Sequence, residues 1–340
     1  MAMSMMKMRW HEPLVFLVVL CSLVGAQDGN QDQDGGSDYL RREHSLVKPY
    51  TGTGMDIPLW DFGGSTVVSN EYIRLTPDRQ SKQGHLWNQV PNHMRHWEIR
   101  VSFMVHGAGR SLYGDGFGIW YAKDRMQFGN VFGNQDKFSG LGVFLDTYSN
   151  FDGDHAHLHP YISAMVNNGS LNYDHDHDGT HGQLDGCSVA FRNADYQSHI
   201  SISYFQGTLS VYTRVGTETD WKSCLNVAGI SLPTGYYFGF TATTGDLADN
   251  HDIVMVKTYE LFPSGESDKD AEVPKDLENI VPAAAHQEAP REHVESTKPT
   301  RKSSMAMYFL VLGGILALGL IGGGVFYYKK QQEKARKRFF

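Results

Sequence analysis

One part of this chain sets carboxylates, amides and imidazoles at short intervals, and such groups can hold a cation. In the stretch GLGVFLDTYSN, residues 140–150, Asp146, Tyr148 and Asn150 stand two apart where a strand runs out into a loop. Side chains two apart on an extended chain project to the same side, so Asp146 and Asn150 can offer side-chain oxygens with the Tyr148 carbonyl between them. Further on, MVNNGSLNYDHDHDG carries His175 and Asp178. Asp178 can complete, from a separate loop, the oxygen set that calcium requires. The same polar cluster can hold a hydroxyl-rich ligand. Taken singly, Asp and Asn in these places serve equally well as turn residues.

Neighbouring patterns offer other chemistry. Asp174-His-Asp176-His-Asp178-Gly179, closed by Asp185, follows the EF-hand loop except for Asp in place of the final Glu. An EF-hand needs a helix on each side, whereas Asn167-Asn168-Gly169 interrupts the preceding segment and Cys187 to Asn193 reads as a strand. Histidines are dense at 155, 157, 159, 175, 177 and 181, which raises zinc, but no thiolate supports it. These histidines read as solvated loop residues, with His175 the exception. Gly114-Asp115-Gly116 is a tight turn or, functionally, a carboxylate at the mouth of a strand, open to paired hydroxyls because its flanking residues lack side chains. Gly245-Asp246-Leu247 offers a similar combination of amides and a carboxylate.

The elements that must position these groups read as β. Trp97, Ile99, Val101, Phe103 and Val105 alternate with more polar residues, as a half-buried strand does. Ile200, Ile202 and Tyr204 alternate likewise, and Gln206-Gly207 turns the chain into Leu209, Val211 and Thr213, a hairpin pattern. Phe117 to Tyr121 and Gly142 to Leu145 are continuously apolar, as inner strands are. No long segment has helical periodicity, so an all-β, two-sheet sandwich of the jelly-roll type is expected over residues 44–263.

The ends locate this domain. Lys7 and Arg9 precede an apolar run ending at Val24-Gly25-Ala26, which reads as a cleaved signal peptide over residues 1–26. Residues 27–43 read as a disordered N-terminal segment. Residues 264–304, rich in Pro, Glu, Lys and Ala, read as a stalk. Met305 to Tyr328 is uncharged, apolar and long enough to cross a ~30 Å hydrocarbon core. Lys329, Lys330, Lys334, Arg336, Lys337 and Arg338 follow it, placing the tail of residues 329–340 in the cytoplasm and making this a type I membrane protein. The formal charge of -8 therefore combines a basic tail with an acidic body, and no lumenal basic stripe suggests nucleic acid. Of three cysteines, Cys21 leaves with the signal segment. Cys187 and Cys224 then most simply pair in an oxidising compartment.

The stretches Ser81-Lys82, GDGFGIWY, GVFLDTYSN, PYISAMVNNGSLNYDH, LPTGYYFG and TGDLADNHDI together resemble the L-type (leguminous-type) animal lectins of the early secretory pathway. The likeness runs from about Ser45 to Phe262 and on through the stalk, spanning helix and short tail. It implies a concanavalin-like jelly-roll sandwich that binds high-mannose N-glycans through calcium. By the same resemblance Asp146, the Tyr148 carbonyl, Asn150 and Asp178 would hold the ion. Ser81, Asp115, Asn150, His175 and Gly245-Asp246-Leu247 would contact mannose. Cys187 and Cys224 match the family disulfide, and Asn168-Gly169-Ser170 matches its glycosylation sequon. Two departures stand out: Ser149, where this branch usually has proline, and the Asp- and His-rich loop 151–159, whose side chains could add or shift a metal.

The implied role is that of a cargo receptor moving glycoproteins between endoplasmic reticulum, intermediate compartment and cis-Golgi. Its tail, with Arg336-Lys337-Arg338 and terminal Phe339-Phe340, resembles signals read by vesicle coat proteins. Two other functions compete. A glycoside hydrolase needs two carboxylates facing one bond, and no Glu-x-Asp-x-Glu cluster falls on an expected strand. A cell-surface adhesion receptor would not need the aromatic sorting pair. His175, beside the sugar, is expected to charge between about pH 7 and 5.5 and so to weaken binding on acidification.

Overall fold

The computed structural model describes residues 39–51, 56–151, 157–263, 275–285 and 319–332. The strands are β1 (Tyr39–Leu46), β2 (Trp60–Gly64), β3 (Val67–Val68), β4 (Ile73–Thr76), β5 (Lys82–Asn88), β6 (Trp97–His106), β7 (Gly116–Ala122), β8 (Phe128–Val131) and β9 (Ser139–Asp146). They continue as β10 (Tyr161–Asn168), β11 (Asp185–Ser188), β12 (Ser198–Phe205), β13 (Thr208–Arg214), β14 (Lys222–Ala228), β15 (Ile230–Ser231), β16 (Tyr237–Thr244), β17 (Asn250–Glu260) and β18 (Ala283–Ala284). One sheet runs β14-β13-β12-β6-β17-β4-β3, with β1 also paired to β17; the other runs β11-β10-β9-β7-β16-β5-β2. The pairings between these strands are antiparallel, and the two sheets make the expected all-β sandwich.

Period-two alternation decides which face of each strand meets the other sheet. Ile99, Val101 and Phe103 of β6 point into a core shared with Phe117, Ile119 and Tyr121 of β7 and Phe238 of β16. The Trp97 ring lies 5.1 Å from both the Tyr121 and Phe238 rings. Truncating so large a buried side chain costs about 3–5 kcal/mol. The seven-stranded sheet has apolar residues on its other face too: Trp120, Phe144 and Met165 pack with Phe132, Phe138 and Tyr173 from loops that cover it. That second cluster explains why β7 and β9 read as continuously apolar, since a strand buried on both faces has no polar alternate positions. It also holds the 128–138 and 171–175 segments against the sheet.

Register then gathers the site. Lys82 lies opposite Thr244, Thr243 opposite Gly116, Gly116 opposite Asp146, and Asp146 opposite Tyr161. These pairs form a row across β5, β16, β7, β9 and β10, with neighbouring strands about 4.8 Å apart. Ser81, Gly245, Asp115, Asp146 and His159 therefore emerge at one end of adjacent strands.

Two boundaries differ from the sequence reading. Residues 39–43, expected to be disordered, belong to β1: Tyr39 pairs with Glu260 and Arg41 with Thr258, and Arg41 Nε donates to Glu260 Oε2 at 2.7 Å. Backbone pairing and that ion pair hold a strongly charged stretch on the sheet. Residues 275–285, assigned to the stalk, return to the sandwich: Ala284 pairs with Ile230, the Thr234 N–H donates to the Leu277 carbonyl, and Pro282 is buried. Cys187 and Cys224 form the expected disulfide, tying β11 at the edge of one sheet to β14 at the edge of the other. Residues 319–332 are helical and exposed, and among the described residues no helix is long and apolar enough to cross a membrane. The signal segment 1–26, the first part of the expected span and the residues Arg336 to Phe340 lie outside the described residues.

Candidate functional site

A depression of about 300 Å3 opens where the row of strand ends emerges, lined by Asp115, Asn130, Phe132, Asp146, Tyr148, Asn150, His175 and Thr243. Five of those eight were marked in the sequence. Ser81, Asp178 and Gly245 to Leu247 lie just outside that lining. Gly116 is required here: its φ is +150°, and a Cβ would sit 2.4 Å from the Leu145 carbonyl oxygen and 3.1 Å from Asp146 Cα. Only glycine lets β7 press against the end of β9 and bring Asp115 beside Asp146.

Behind the depression, one donor atom each from Asp146, His159 and Asp178 lies within 4.8 Å of the other two. Asp146 is 8% exposed and Asp178 5%. Asp146 Oδ1 accepts the Tyr148 N–H at 2.9 Å, and Asp178 Oδ1 accepts the Asn150 N–H at 2.8 Å. These bonds wrap the 146–150 loop around both carboxylates. Asp178 Oδ2 and His159 Nε2 are buried without a hydrogen-bond partner. Burial pushes the Asp146 carboxyl above its ordinary range, against the pull of His159. Burial alone would lower the His159 pKa, but contact with Asp146 and the nearby Asp178 charge raise it.

An orphaned carboxylate oxygen beside a second buried carboxylate suits a hard divalent cation, which takes oxygen ligands and would satisfy both groups. Asp146 and Asp178, with the Tyr148 carbonyl and the exposed Asn150 side chain on the same loop, have the right chemistry to hold it. His159 corrects the sequence reading. It is not a solvated loop histidine, since its side chain is only 5% exposed and its Nε2 lies 3.7 Å from Asp146 Oδ2. Finding it needed the β9–β10 register, which places Asp146 opposite Tyr161, two residues on from His159.

On the open side, Asp115 is half-buried. Its carbonyl accepts the Thr147 N–H and hydroxyl at 2.9 and 3.0 Å, and its carboxylate accepts the Gly245 N–H. Burial, with the charges of Asp146 and Asp246 added, raises its pKa to about 6. Ser81 is exposed and donates its N–H to the Gly245 carbonyl at 3.0 Å, while Gln80 Nε2 donates to the Asp246 carbonyl at 2.7 Å. Those bonds set the 245–247 loop beside Asp115. A Cβ on Gly114 would lie 3.1 Å from Tyr148 Cβ and 3.7 Å from Leu247 Cβ, so Tyr148 and Leu247 flank the same spot. The arrangement presents carboxylate and amide acceptors and donors beside exposed apolar surface, which suits the hydroxyls and the C–H face of a sugar.

His175 stands against Tyr173, ring centroids 4.7 Å apart, with Nε2 buried and unpartnered. Burial lowers its pKa from 6.5 despite Asp136 and the Asn130 backbone. Burial thus works against the expected charging of His175 on acidification, while Asp115, with its pKa raised to about 6, falls within the same pH range. Asn130, Phe132 and Thr243 were not marked in the sequence. Thr243 carries no motif and faces the site only because β16 alternates, and the 128–138 loop reaches the site through its packing on the second apolar cluster. Asn168 is exposed at the end of β10, as a glycosylation sequon requires. A larger depression of about 400 Å3 lies against the other sheet, but its polar groups are already engaged: Arg74 and His106 both bond Asp252.

The legume-like lectin family matches residues 37–268. The human vesicular integral-membrane protein VIP36 is 42% identical over 337 residues, covering 96% of this chain and 91% of its own. The human VIP36-like protein is 43% identical over 330 residues, covering 95% of this chain and 93% of its own. The crystal structure of the VIP36 exoplasmic/lumenal domain in its Ca2+/Man3GlcNAc-bound form is 47% identical with a TM-score of 0.65, covering 72% of this chain and 99% of that one.

Proposed function

The chain belongs to the legume-like lectin family, and on that premise we propose that it is a calcium-dependent lectin for high-mannose N-glycans that serves as a cargo receptor in the secretory pathway. One observation carries the reading: two buried carboxylates, Asp146 and Asp178, lie with the His159 imidazole at an open, polar depression, and Asp178 Oδ2 has no hydrogen-bond partner. Asp146, Asp178, the Tyr148 carbonyl and the Asn150 side chain hold the ion. When bound, calcium supplies the positive charge that fixes this loop and orients its polar groups. The Asn150 side-chain NH2 then donates to a sugar hydroxyl and Asp115 accepts from paired hydroxyls, while Gly245 to Leu247 contribute amides and an apolar contact. Ser81 supports that loop from β5, and His175 closes the far wall. Because these groups are held before the sugar arrives, little ordering cost is left for binding. The family is one of lectins, and the chain is not an enzyme.

The remaining parts follow from the sequence. Residues 1–26 are a signal peptide, residues 305–328 span the membrane, and the lectin domain faces the lumen, carrying a glycan at Asn168. The tail engages vesicle coat proteins through Arg336-Lys337-Arg338 and Phe339-Phe340, so that the protein cycles among endoplasmic reticulum, intermediate compartment and cis-Golgi. The test is glycan-array binding of the detergent-solubilised chain with calcium and with a chelator. High-mannose glycans are bound only with calcium. Equal binding in chelator refutes the metal assignment, and binding to unrelated glycans alone refutes the ligand.

A further inference from the structure

A second group of metal-ligating side chains lies on the same loop as Asp178 and is part-buried where both carboxylates of the calcium cluster are buried. Asp174, His177 and His181 each place one donor atom within 4.8 Å of the other two. His177 Nδ1 lies 2.8 Å from Asp174 Oδ2, and the His177 and His181 rings stand 5.4 Å apart. All three are part-buried, so they are reachable from solvent yet held in place. The backbone between them is closed on itself: the Gly179 N–H donates to the Asp174 carbonyl at 2.8 Å, the Thr180 N–H to the His177 carbonyl at 3.0 Å, and the Gly182 N–H to the Gly179 carbonyl at 3.0 Å.

We propose that Asp174, His177 and His181 form a binding site for a borderline-soft divalent ion, Zn2+, separate from the calcium site. Two imidazoles and one carboxylate are the donors zinc prefers, and three protein ligands leave a position for water. Calcium, which wants six to eight oxygens, is poorly served by them. Donors at about 2.05 Å in a tetrahedral arrangement stand about 3.3 Å apart. One pair stands 2.8 Å apart and no donor is more than 4.8 Å from the others, so small side-chain rotations complete the site. The inner cluster has the opposite balance, with two carboxylates to one imidazole, and so favours the harder ion.

Position gives the site a consequence. His177 precedes Asp178 directly, and its ring lies 5.0 Å from that of Phe151, which follows Asn150. Zinc at the outer cluster thus braces, from the solvent side, both segments that hold the inner carboxylate and the sugar-facing amide.

The experiment titrates ZnCl2 into the full chain in detergent, with any affinity tag removed and calcium saturating, by isothermal titration calorimetry. One equivalent binds to wild type. The pair His177→Ala and His181→Ala weakens zinc binding by well over tenfold, since loss of a supporting partner alone costs about 10–100-fold, while calcium binding is unchanged. On unsubstituted protein, zinc also shields His177 and His181 from diethyl pyrocarbonate in a peptide map and leaves exposed His93 reactive. The proposal is overturned if the doubly substituted chain binds zinc as wild type does, if zinc binds only when calcium is withheld, or if neither histidine is shielded.

Discussion

Acidification should weaken calcium binding through His159, and replacing that residue by glutamine should flatten the dependence. Without the ion, the Asp146 and Asp178 carboxylates lie against one imidazole, all three donors within 4.8 Å. Burial opposes charge on His159, but contact with Asp146 and the nearby Asp178 outweigh it, so its pKa stands above 6.5. A raised folded pKa contributes stability that is complete below the unfolded value and is lost as pH rises through the folded one. The calcium-free protein is therefore held by an imidazolium below the ordinary histidine pKa of about 6.5 and loses that support as pH rises through the raised one. A cation at the same carboxylates must displace the proton. Where one proton is exchanged, affinity falls about tenfold per pH unit, or about 1.4 kcal/mol. From pH 7.5 to 6.0 the ceiling is about thirtyfold. Calorimetry in two buffers of different ionisation enthalpy measures the affinity and the protons released together. Wild type should approach one proton at pH 6, and His159→Gln should release fewer, since only the Asp146 carboxyl, raised by burial, is left to carry one. If the variant keeps the wild-type slope, the carboxylates alone carry the proton and the reasoning fails.

Other outcomes follow from the same geometry. Asn150→Ala should abolish mannose binding in calorimetry with the thermal midpoint of the calcium-free protein unchanged, because the side chain is exposed and the backbone N–H to Asp178 survives. Asp115→Asn should also lose the sugar but keep calcium, as calorimetry with each ligand in turn would show. Replacing Cys187 and Cys224 together by serine removes a bridge between the two sheet edges. That should cost about 4 kcal/mol and lower the melting temperature by about 8–16 °C, measured by calorimetry of the oxidised and substituted proteins. Phe339→Ala with Phe340→Ala should slow exit from the endoplasmic reticulum, scored by Golgi processing of the glycan at Asn168.

The parts of the fold that were legible are those whose pattern is local. β6 and the β12–β13 hairpin follow directly from alternation and a Gln-Gly turn, and β7 and β9 from unbroken apolar runs. Composition misled where the backbone does the holding. The charged residues 39–43 enter β1 through pairing with β17, and Ala283-Ala284 joins β15 with side chains too small to register as apolar. The site divides the same way. Asp146 to Asn150 could be marked because spacing within one strand end suffices. His159, Thr243 and Asn130 could not, because each reaches the site through a partner elsewhere in the chain. What unites them is the row of register pairs from Lys82 and Thr244 through Gly116 to Asp146 and Tyr161. A slip of one residue in β9 would turn Asp146 to the opposite face and separate it from both Asp115 and His159. The apolar residues of β9 resist that slip on both faces, Val143 and Leu145 toward the sandwich core and Phe144 toward the outer cluster. The packing that made β9 easy to recognise as a strand is therefore also what holds the cation-binding carboxylate at its place in the row.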